Sequence, residues 1–289
     1  MFVNTPPSKL RTLLVLGRVS NLPTVWSNCL AGWWLGGGGK WSLLAWVCVG
    51  TSFLYVAGMF LNDAFDFGFD RQHRPTRPIP SGAISLKEVS ILGLVFLVIG
   101  IGALAWMGKT TLLLGLFLAG AILVYDAFHK LVGLAPLVMG LCRCLVYVVA
   151  ASVAADGVTG LAVWSGCALA LYIIGLSFLA RKEALWAPVA AWPAVLLAAP
   201  IVLALLSDDN ELRTRAVLLI AIVVLWVTGS LRFTLGRAQP QVGKTVAKLI
   251  AGIVLVDLLA APNVPQPWIF LFPIWFALAL LLQKIAPAT

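Results

Sequence analysis

Long apolar segments, separated by short polar ones, constrain this sequence more than any other feature. Each is close to the roughly 20 residues that a helix needs to cross the apolar core of a bilayer. Of the 289 residues, 61% are hydrophobic and only 11% are charged, a balance that excludes a soluble domain of this length. The sequence therefore predicts an all-α, polytopic membrane helix bundle. Ten candidate spans cover residues 12–36, 41–65, 86–107, 110–128, 134–155, 159–180, 187–206, 215–235, 245–261 and 266–284.

Basic residues are distributed unequally between the loops. Most of the 20 Lys and Arg residues lie before the first candidate span or after an even-numbered one, Arg71 and Arg181 among them. The opposite loops carry acids such as Asp156. By the positive-inside rule, the even-numbered loops are cytoplasmic, and so are both termini if all ten segments span. A count of nine spans is the alternative, because 245–261 or 266–284 can lie in the membrane interface instead of crossing the bilayer. We expect a multi-pass protein of a bacterial inner membrane.

A cluster of oxygen-bearing side chains lies at the cytoplasmic end of the second candidate span. Asn62, Asp66 and Asp70 are four residues apart, so they share one face of a helix. Asp63 lies beside them, as a ligand or as the partner of one. Oxygen ligands with no Cys or His among them suit a hard cation such as Mg²⁺. We predict that these four residues hold Mg²⁺, and that the three on the shared face are catalytic.

Three arginines follow this acidic cluster in a proline-rich loop. Arg71, Arg74 and Arg77 carry permanent charge on planar groups that bind phosphate in a bidentate manner. Carboxylates that hold a metal, next to arginines that neutralise phosphate, are the components of a Mg²⁺–diphosphate site. The structural alternative is a helix end that frays into solvent. Acids at a helix C-terminus oppose the helix dipole, so we favour the functional interpretation.

The sequence pattern over residues 62–82 resembles that of a known family. It reads NDxxDxxxD followed by RPxRPxxSG, which closely resembles the first aspartate-rich motif of the UbiA superfamily of intramembrane prenyltransferases. Residues 17–36, GRVSNLPTVWSNCLAGWWLG, are similar to the first span of that family. With YDAFHK and MGLCR, they most resemble its EboC branch.

This resemblance implies a fold and an activity. The fold would be one membrane domain over 1–289, with about 12–284 in the membrane and the helices around a central cavity open to the cytoplasm. The activity would be Mg²⁺-dependent transfer of a prenyl group from a polyprenyl diphosphate to a small-molecule acceptor. The bilayer is the expected surrounding, and no nucleic-acid partner is expected.

Further polar residues gain expected roles from the resemblance. Lys130 lies on the second cytoplasmic loop as a diphosphate contact, although His129 beside it fits that role as well. Tyr125, in the same stretch, is another candidate. Arg18 and Asn21 lie near the cytoplasmic end of the first span. Arg18 either faces the bundle, toward an anionic substrate, or extends to the headgroups.

Arg143 and Asp257 are ionisable residues that lie inside candidate spans. Arg143 falls several residues inside the fifth span, where an unpaired guanidinium is costly. We predict that it faces the cavity and contacts the diphosphate. Asp257 lies inside the ninth span, with no partner visible in the sequence. Its position alone makes it a functional candidate.

The chain departs from the family pattern at the end of the sixth span. The resemblance leads us to expect a second acidic motif there, which in the family binds a second Mg²⁺. Here the position carries Arg181, Lys182 and Glu183. We expect Arg181 and Lys182 to contact the diphosphate directly, replacing the charge of the metal. Glu183 is a further candidate ligand.

Two other functions stay open. A UbiA-like bundle with one intact motif can bind, or help to export, a lipid-like or prenylated small molecule without catalysis. An ion-coupled transporter suits ten helices, but few polar residues lie within the spans and no inverted repeat is recognisable. The altered second motif is the feature that separates the enzyme from the binding protein.

Cysteine labelling tests the predicted orientation. Asp70→Cys and Glu183→Cys should resist a membrane-impermeant thiol reagent added to intact cells, because the loops that carry them are cytoplasmic. Asp156→Cys, on the opposite side, should react. Labelling of the first two from outside would overturn the orientation and the location of the site.

Overall fold

The computed structural model describes residues 8–130, 132–181, 191–206, 213–235 and 239–288. All regular structure in these ranges is helical, which confirms the all-α fold. Short 3-10 turns cover Val19–Asn21 and Trp268–Phe270. The α-helices are α1 (Lys9–Leu16), α2 (Leu22–Leu35), α3 (Trp41–Phe65), α4 (Phe67–His73), α5 (Leu86–Ala105), α6 (Lys109–Phe128), α7 (Ala135–Ala151), α8 (Gly160–Arg181), α9 (Trp192–Leu196), α10 (Ala199–Leu206), α11 (Arg213–Leu231), α12 (Val242–Ala260) and α13 (Leu271–Leu282).

Several of these helices can cross a membrane. Within the described ranges, α3, α5, α6 and α8 are each long and apolar enough to do so. Large apolar side chains point outward, Val98 and Phe117 each at 69% exposure, as expected of a surface that meets lipid. The protein is therefore an integral, multi-pass membrane protein. The choice between nine and ten spans stays a prediction. Shorter apolar helices match further predicted segments, at Ala135–Ala151, Trp192–Leu206, Arg215–Leu231 and Trp268–Leu282.

Helix α2 lies at the centre of the bundle. It packs against α3, α7, α8, α12 and α13, so it joins the first helices of the chain to the last. Gly32 permits the closest approach, because a Cβ there would lie 2.5 Å from the carbonyl oxygen of Tyr147 on α7. Small residues at such crossings let two membrane helices pack backbone to backbone.

The first predicted span, residues 12–36, is not one continuous helix. Helix α1 ends at Leu16, and α2 begins at Leu22 with Pro23 in its first turn, where a missing N–H is tolerated. Between them, Arg18 has a φ of 43°, in the left-handed region that residues with a Cβ rarely adopt. Apolar composition across the segment concealed this break. The break leaves the Arg18 guanidinium 4.0 Å from Asp63 Oδ1 at the end of α3.

The crossing of α2 and α7 yields a stability prediction. Gly32→Ala should lower the free energy of unfolding by about 1–3 kcal/mol, the usual cost of overpacking, because the methyl group would overlap the main chain of Tyr147. Gly120→Ala on α6 is the matched control, since a Cβ there meets nothing within 4 Å. Unfolding of the purified variants in detergent measures both. Equal stability would contradict the close approach of the two helices.

Candidate functional site

The predicted acidic cluster is buried at the junction of α3 and α4. The predicted continuous helix is interrupted at Asp66, between Phe65 and Phe67. Hydrogen bonds from Asp66 N to Asn62 O and from Asp70 N to Asp66 O, each 2.9 Å, nevertheless keep these side chains one turn apart. The predicted spacing therefore survives the interruption. Relative exposures are 6% for Asn62, 8% for Asp63, 7% for Asp66 and 1% for Asp70.

Arg77 bridges two carboxylates of the cluster. Its Nη1 donates to Asp63 Oδ1 and to Asp70 Oδ2, both at 3.1 Å. Arg77 belongs to the proline-rich loop after α4, where Ile79 is buried and Ser81 N donates to Arg77 O at 2.9 Å. The ion pairs therefore hold this loop against the acidic cluster.

Asp66 is held by the residues that follow α6. Lys130 Nζ lies 2.7 Å, and His129 Nε2 3.5 Å, from Asp66 Oδ1. Burial raises the pKa of the Asp66 carboxyl, but the hydrogen bonds and the positive charges of His129 and Lys130 together lower it by more, so its pKa lies below the ordinary value. The carboxylate is therefore ionised at neutral pH. Tyr125 stacks on His129, with ring centroids 5.1 Å apart. The sequence did not decide between His129 and Lys130, and in the structure both contact the Asp66 carboxylate.

Asp126 is a member of the site that the sequence motifs did not predict. It lies near the end of α6, is 3% exposed, and accepts a hydrogen bond at Oδ1 from Asn62 Nδ2 at 3.2 Å. Its only sequence signal was an acid at the end of an otherwise apolar segment, next to Tyr125. Such an acid is a functional candidate in a membrane protein.

Arg181 binds the main chain of the loop that carries Lys130. Its Nη1 donates to Gly133 O at 2.5 Å, and its Nη2 donates to His129 O at 2.9 Å and to Val132 O at 3.0 Å. Arg181 therefore fixes the turn that follows α6. Its predicted contact with a diphosphate stays a prediction. To make that contact, Arg181 would have to share its N–H donors between the loop carbonyls and the ligand.

Two of the predicted loop arginines are not placed in the cluster. Arg71 and Arg74 are exposed, and in the described part of the chain neither forms an ion pair with an acid. Lys182 and Glu183 lie outside the described residues. The structure thus brings one of the three predicted loop arginines to the acidic cluster.

A second polar network lies in the bundle interior. Asp257 on α12 is fully buried, and it accepts hydrogen bonds from Ser27 and, at 2.5 Å, from Tyr147. Asn28 Nδ2 donates to both of its carboxylate oxygens, at 2.9 and 2.8 Å. Arg143 donates to Asn28 Oδ1 at 2.7 Å, so Asn28 links a buried acid to a base. Asp257 thus has the partners that the sequence did not reveal.

Asn21 and Arg143 meet at Tyr55 beside this network. Asn21 Nδ2 donates to Tyr55 Oη at 3.0 Å and to Ala288 O at 3.1 Å. The Arg143 guanidinium carbon lies 5.8 Å from the centroid of the Tyr55 ring. Within the described residues, neither side chain forms a hydrogen bond or an ion pair with the acidic cluster. Their predicted contacts with substrate stay predictions.

The chemistry of the acidic cluster suits a hard divalent cation. Asp70 Oδ1 and Asp126 Oδ2 are buried without a hydrogen-bond partner in the described structure, which is costly for carboxylate oxygens. Arg77 and Lys130 already contact other oxygens of the cluster. In the described ranges no group of three or more His, Cys, Asp or Glu side chains is arranged to hold a metal. The oxygen donors suit Mg²⁺ by their chemistry, but the side chains would have to rearrange, with Arg77 or Lys130 leaving its carboxylates, before three of them could bind one ion.

The larger of two described cavities lies at the opposite end of the bundle. It measures about 590 Å³, and its lining includes Gly37, Asp156 and Asn263. The 25 residues of α3 separate that end from the acidic cluster, about 38 Å at 1.5 Å per residue. A smaller cavity of about 230 Å³ lies beside Tyr125 and His129. A central cavity open to the cytoplasm stays a prediction.

Fold and site together define a class: helical membrane proteins with a buried acidic cluster at one helix end, covered by basic residues from two loops. The UbiA prenyltransferase family model matches residues 20–183, more than half of the chain, and the protein belongs to that family.

Two curated relatives show the extent of the sequence similarity. The 4-hydroxybenzoate octaprenyltransferase of Paracidovorax citrulli (strain AAC00-1) is 30% identical over 166 residues, which are 55% of this chain and 56% of the relative. The digeranylgeranylglyceryl phosphate synthase of Methanocaldococcus jannaschii is 33% identical over 95 residues, 32% of this chain and 34% of the relative. The chain therefore matches about half or less of the length of these relatives.

Two solved structures share the fold. One, of digeranylgeranylglyceryl phosphate synthase in membranes, has a TM-score of 0.60 at 18% identity, and the match covers 93% of this chain and 99% of that one. The other is a UbiA homolog from Archaeoglobus fulgidus bound to GPP and Mg²⁺. It has a TM-score of 0.53 at 14% identity, and the match covers 95% of this chain and 99% of that one. At these identities the likeness concerns the fold alone.

The contacts of Arg181 yield a prediction about the loop after α6. Arg181→Ala should accelerate amide hydrogen exchange over residues 129–135, because three carbonyl contacts that fix the turn are lost. Lys87→Ala, which removes an exposed charge at the start of α5, should leave exchange in the loop unchanged. Mass spectrometry of the exchanged protein in detergent measures both. Equal exchange in wild type and Arg181→Ala would show that Arg181 does not hold the turn.

Proposed function

We propose that the protein transfers a prenyl group from a polyprenyl diphosphate to an acceptor, with Mg²⁺ bound at the acidic cluster. The observation that carries the proposal is the burial of Asp63, Asp66 and Asp70 beside Arg77 and Lys130 at one end of a membrane-spanning helix. Membership of the UbiA prenyltransferase family supports it. A Mg²⁺–diphosphate complex requires carboxylates for the metal and bases for the remaining phosphate charge, and both are present.

The carboxylates and the amide would hold the metal. When bound, Mg²⁺ would act as a Lewis acid on the diphosphate leaving group. Asn62, Asp66 and Asp70 lie one turn apart, so they can present their oxygens to one ion, with Asp63 as a further ligand or a partner of one. Metal ligation would release Arg77 or Lys130 from the carboxylates.

The released basic side chains would bind the diphosphate. Arg77 and Lys130 lie on different loops, so they can contact the phosphates from two sides, and Arg18 lies close enough to Asp63 to join them. In the transfer, the bond from the prenyl C1 to the diphosphate oxygen breaks, and its electron pair stays on the diphosphate. The acceptor forms a bond to C1 and gives up a proton. The basic side chains stabilise the charge that develops on the leaving group.

The finer assignments rest on sequence alone. The unequal distribution of basic residues supports a cytoplasm-facing site, and with ten spans both termini are cytoplasmic. We assign the protein to a bacterial inner membrane and to the EboC branch on the motifs at 17–36 and 125–143. Its relatives carry names that imply different acceptors, an aromatic acid in one and a glyceryl phosphate in the other. We therefore leave the acceptor unassigned.

One observation favours a second candidate function. Where the resemblance leads us to expect a second acidic motif, Arg181 binds loop carbonyls instead. A protein with a single metal site can bind a diphosphate-bearing or otherwise lipid-like molecule, and help to export it, without transferring the prenyl group. Incubation with labelled polyprenyl diphosphates of several chain lengths and a panel of aromatic and alcohol acceptors separates the two. Release of diphosphate with a prenylated product supports the enzyme, whereas tight binding without product supports the carrier.

Binding of a polyprenyl diphosphate tests the proposed site. Asp66→Ala should abolish the Mg²⁺-dependent part of the affinity, because removing one ligand leaves too little protein charge to hold the ion. Asp156→Ala, at the opposite end of the bundle, should bind as the wild type does. Titrations with Mg²⁺ and with a chelator measure the metal-dependent part. If Asp66→Ala keeps that part, the acidic cluster is only a structural helix end.

A further inference from the structure

We propose that Asp126 belongs to the cation site, where it orients Asn62 and adds a fourth carboxylate to Asp63, Asp66 and Asp70. This inference rests on the proposed Mg²⁺ site, but it concerns a residue on another helix that the family motif does not include.

The packing of α6 on α3 places Asp126 in the site. The two helices contact each other, and two polar pairs join the residues at the C-terminal end of α3 to those at the C-terminal end of α6. Asp126 pairs with Asn62, and three residues later His129 lies 3.5 Å from Asp66, which is one turn after Asn62 and directly follows α3. Asp126 and His129 therefore lie on the same face of the α6 end, against the stacked side chains of the cluster.

The hydrogen-bonding chemistry of a carboxylate determines how Asp126 orients the Asn62 amide. An ionised carboxylate only accepts hydrogen bonds, so the amide must present its NH₂ group to Asp126, as the 3.2 Å contact from Asn62 Nδ2 to Asp126 Oδ1 shows. The amide oxygen takes no part in this hydrogen bond, so it can bind a cation. Groups that orient ligands in this way commonly surround protein metal sites, and their loss weakens metal binding.

The second oxygen of Asp126 indicates a role beyond orientation. Asp126 Oδ2 is buried and has no hydrogen-bond partner in the described structure, and Asp70 Oδ1 is in the same condition. A charged oxygen there lacks a cation, and a protonated one would lack an acceptor. A divalent cation in the cluster would supply the missing partner.

Asp257, a buried aspartate outside the acidic cluster, provides the comparison. Asp257 also lies on an apolar helix, yet it accepts hydrogen bonds from Ser27, Asn28 and Tyr147. Buried carboxylates in proteins normally have hydrogen-bond partners of this kind. Within the described residues, the Asp126 carboxylate receives one hydrogen bond, and that bond comes from a residue of the proposed metal site.

Direct metal binding, without substrate, tests the proposal. The probe is Mn²⁺, which prefers the same oxygen ligands as Mg²⁺ and is followed by electron paramagnetic resonance in detergent-solubilised protein. Asp126→Asn should raise the Kd for Mn²⁺ about 10- to 100-fold. Asp156→Asn, in the loop at the far end, should leave the Kd unchanged. Circular dichroism and gel filtration confirm that the variants are folded.

A double variant that exchanges the two side chains controls for loss of binding through misfolding. Asn62→Asp combined with Asp126→Asn exchanges carboxylate and amide across the same hydrogen bond, so it keeps the contact and the total charge. Its Kd for Mn²⁺ should be lower than that of Asp126→Asn and lie within about tenfold of the wild-type value. The loss of a metal-site partner typically weakens metal binding by more than that. A folded double variant that binds no better than Asp126→Asn would overturn the proposal.

Asp66→Asn separates this inference from the proposed function. If Asp66→Asn loses Mn²⁺ binding while Asp126→Asn binds as the wild type does, the metal site stands and the role of Asp126 is refuted. If the wild type does not bind Mn²⁺, or if Asp66→Asn binds it unchanged, the metal site and the role of Asp126 both fail.

Discussion

Negative charge buried at the end of α3 is the constraint on which the rest of the site depends. Asp63, Asp66 and Asp70 bring three nearly inaccessible carboxylates into two helical turns. Ionised carboxylates in such a place are costly unless cations lie against them. Arg77, from the loop after α4, and Lys130, from the turn after α6, supply this charge. The cluster therefore determines where that loop and the end of α6 must lie.

Because basic side chains neutralise the buried carboxylates, their positions depend on whether a metal is bound. Arg77 and Lys130 occupy carboxylate oxygens that a metal ion would need, so binding the ion and releasing these side chains are linked events. A polyprenyl diphosphate would offer the released bases a new anionic partner. Arg181 contributes indirectly, because its hydrogen bonds fix the turn from which Lys130 extends. The left-handed backbone of Arg18 places a third base at the edge of the cluster. Bases from three segments thus surround one acidic cluster.

Local signals in the sequence predicted the acidic cluster and named Arg77, Lys130 and His129 near it, but not their ion pairs with the cluster or the pairing of Asn62 with Asp126. Helix α3 covers 41–65, as its apolar segment predicted. The break at Arg18 escaped prediction because apolar composition runs through it. The pair of Asn62 and Asp126 joins residues 64 positions apart, and no local pattern encodes how two helices pack. Asp257 looked unpartnered for the same reason, since its donors lie 110 or more residues away.

A structure with Mg²⁺ and a non-cleavable prenyl thiolodiphosphate tests most directly whether the carboxylates exchange protein cations for a metal. We expect oxygens of Asp66 and Asp70 at about 2.0–2.1 Å from the ion. Arg77 should have moved from Asp63 and Asp70 to the phosphate oxygens, with Lys130 beside it. The contrary result is a bound diphosphate with Arg77 still 3.1 Å from both carboxylates, Lys130 still 2.7 Å from Asp66, and no metal in the cluster.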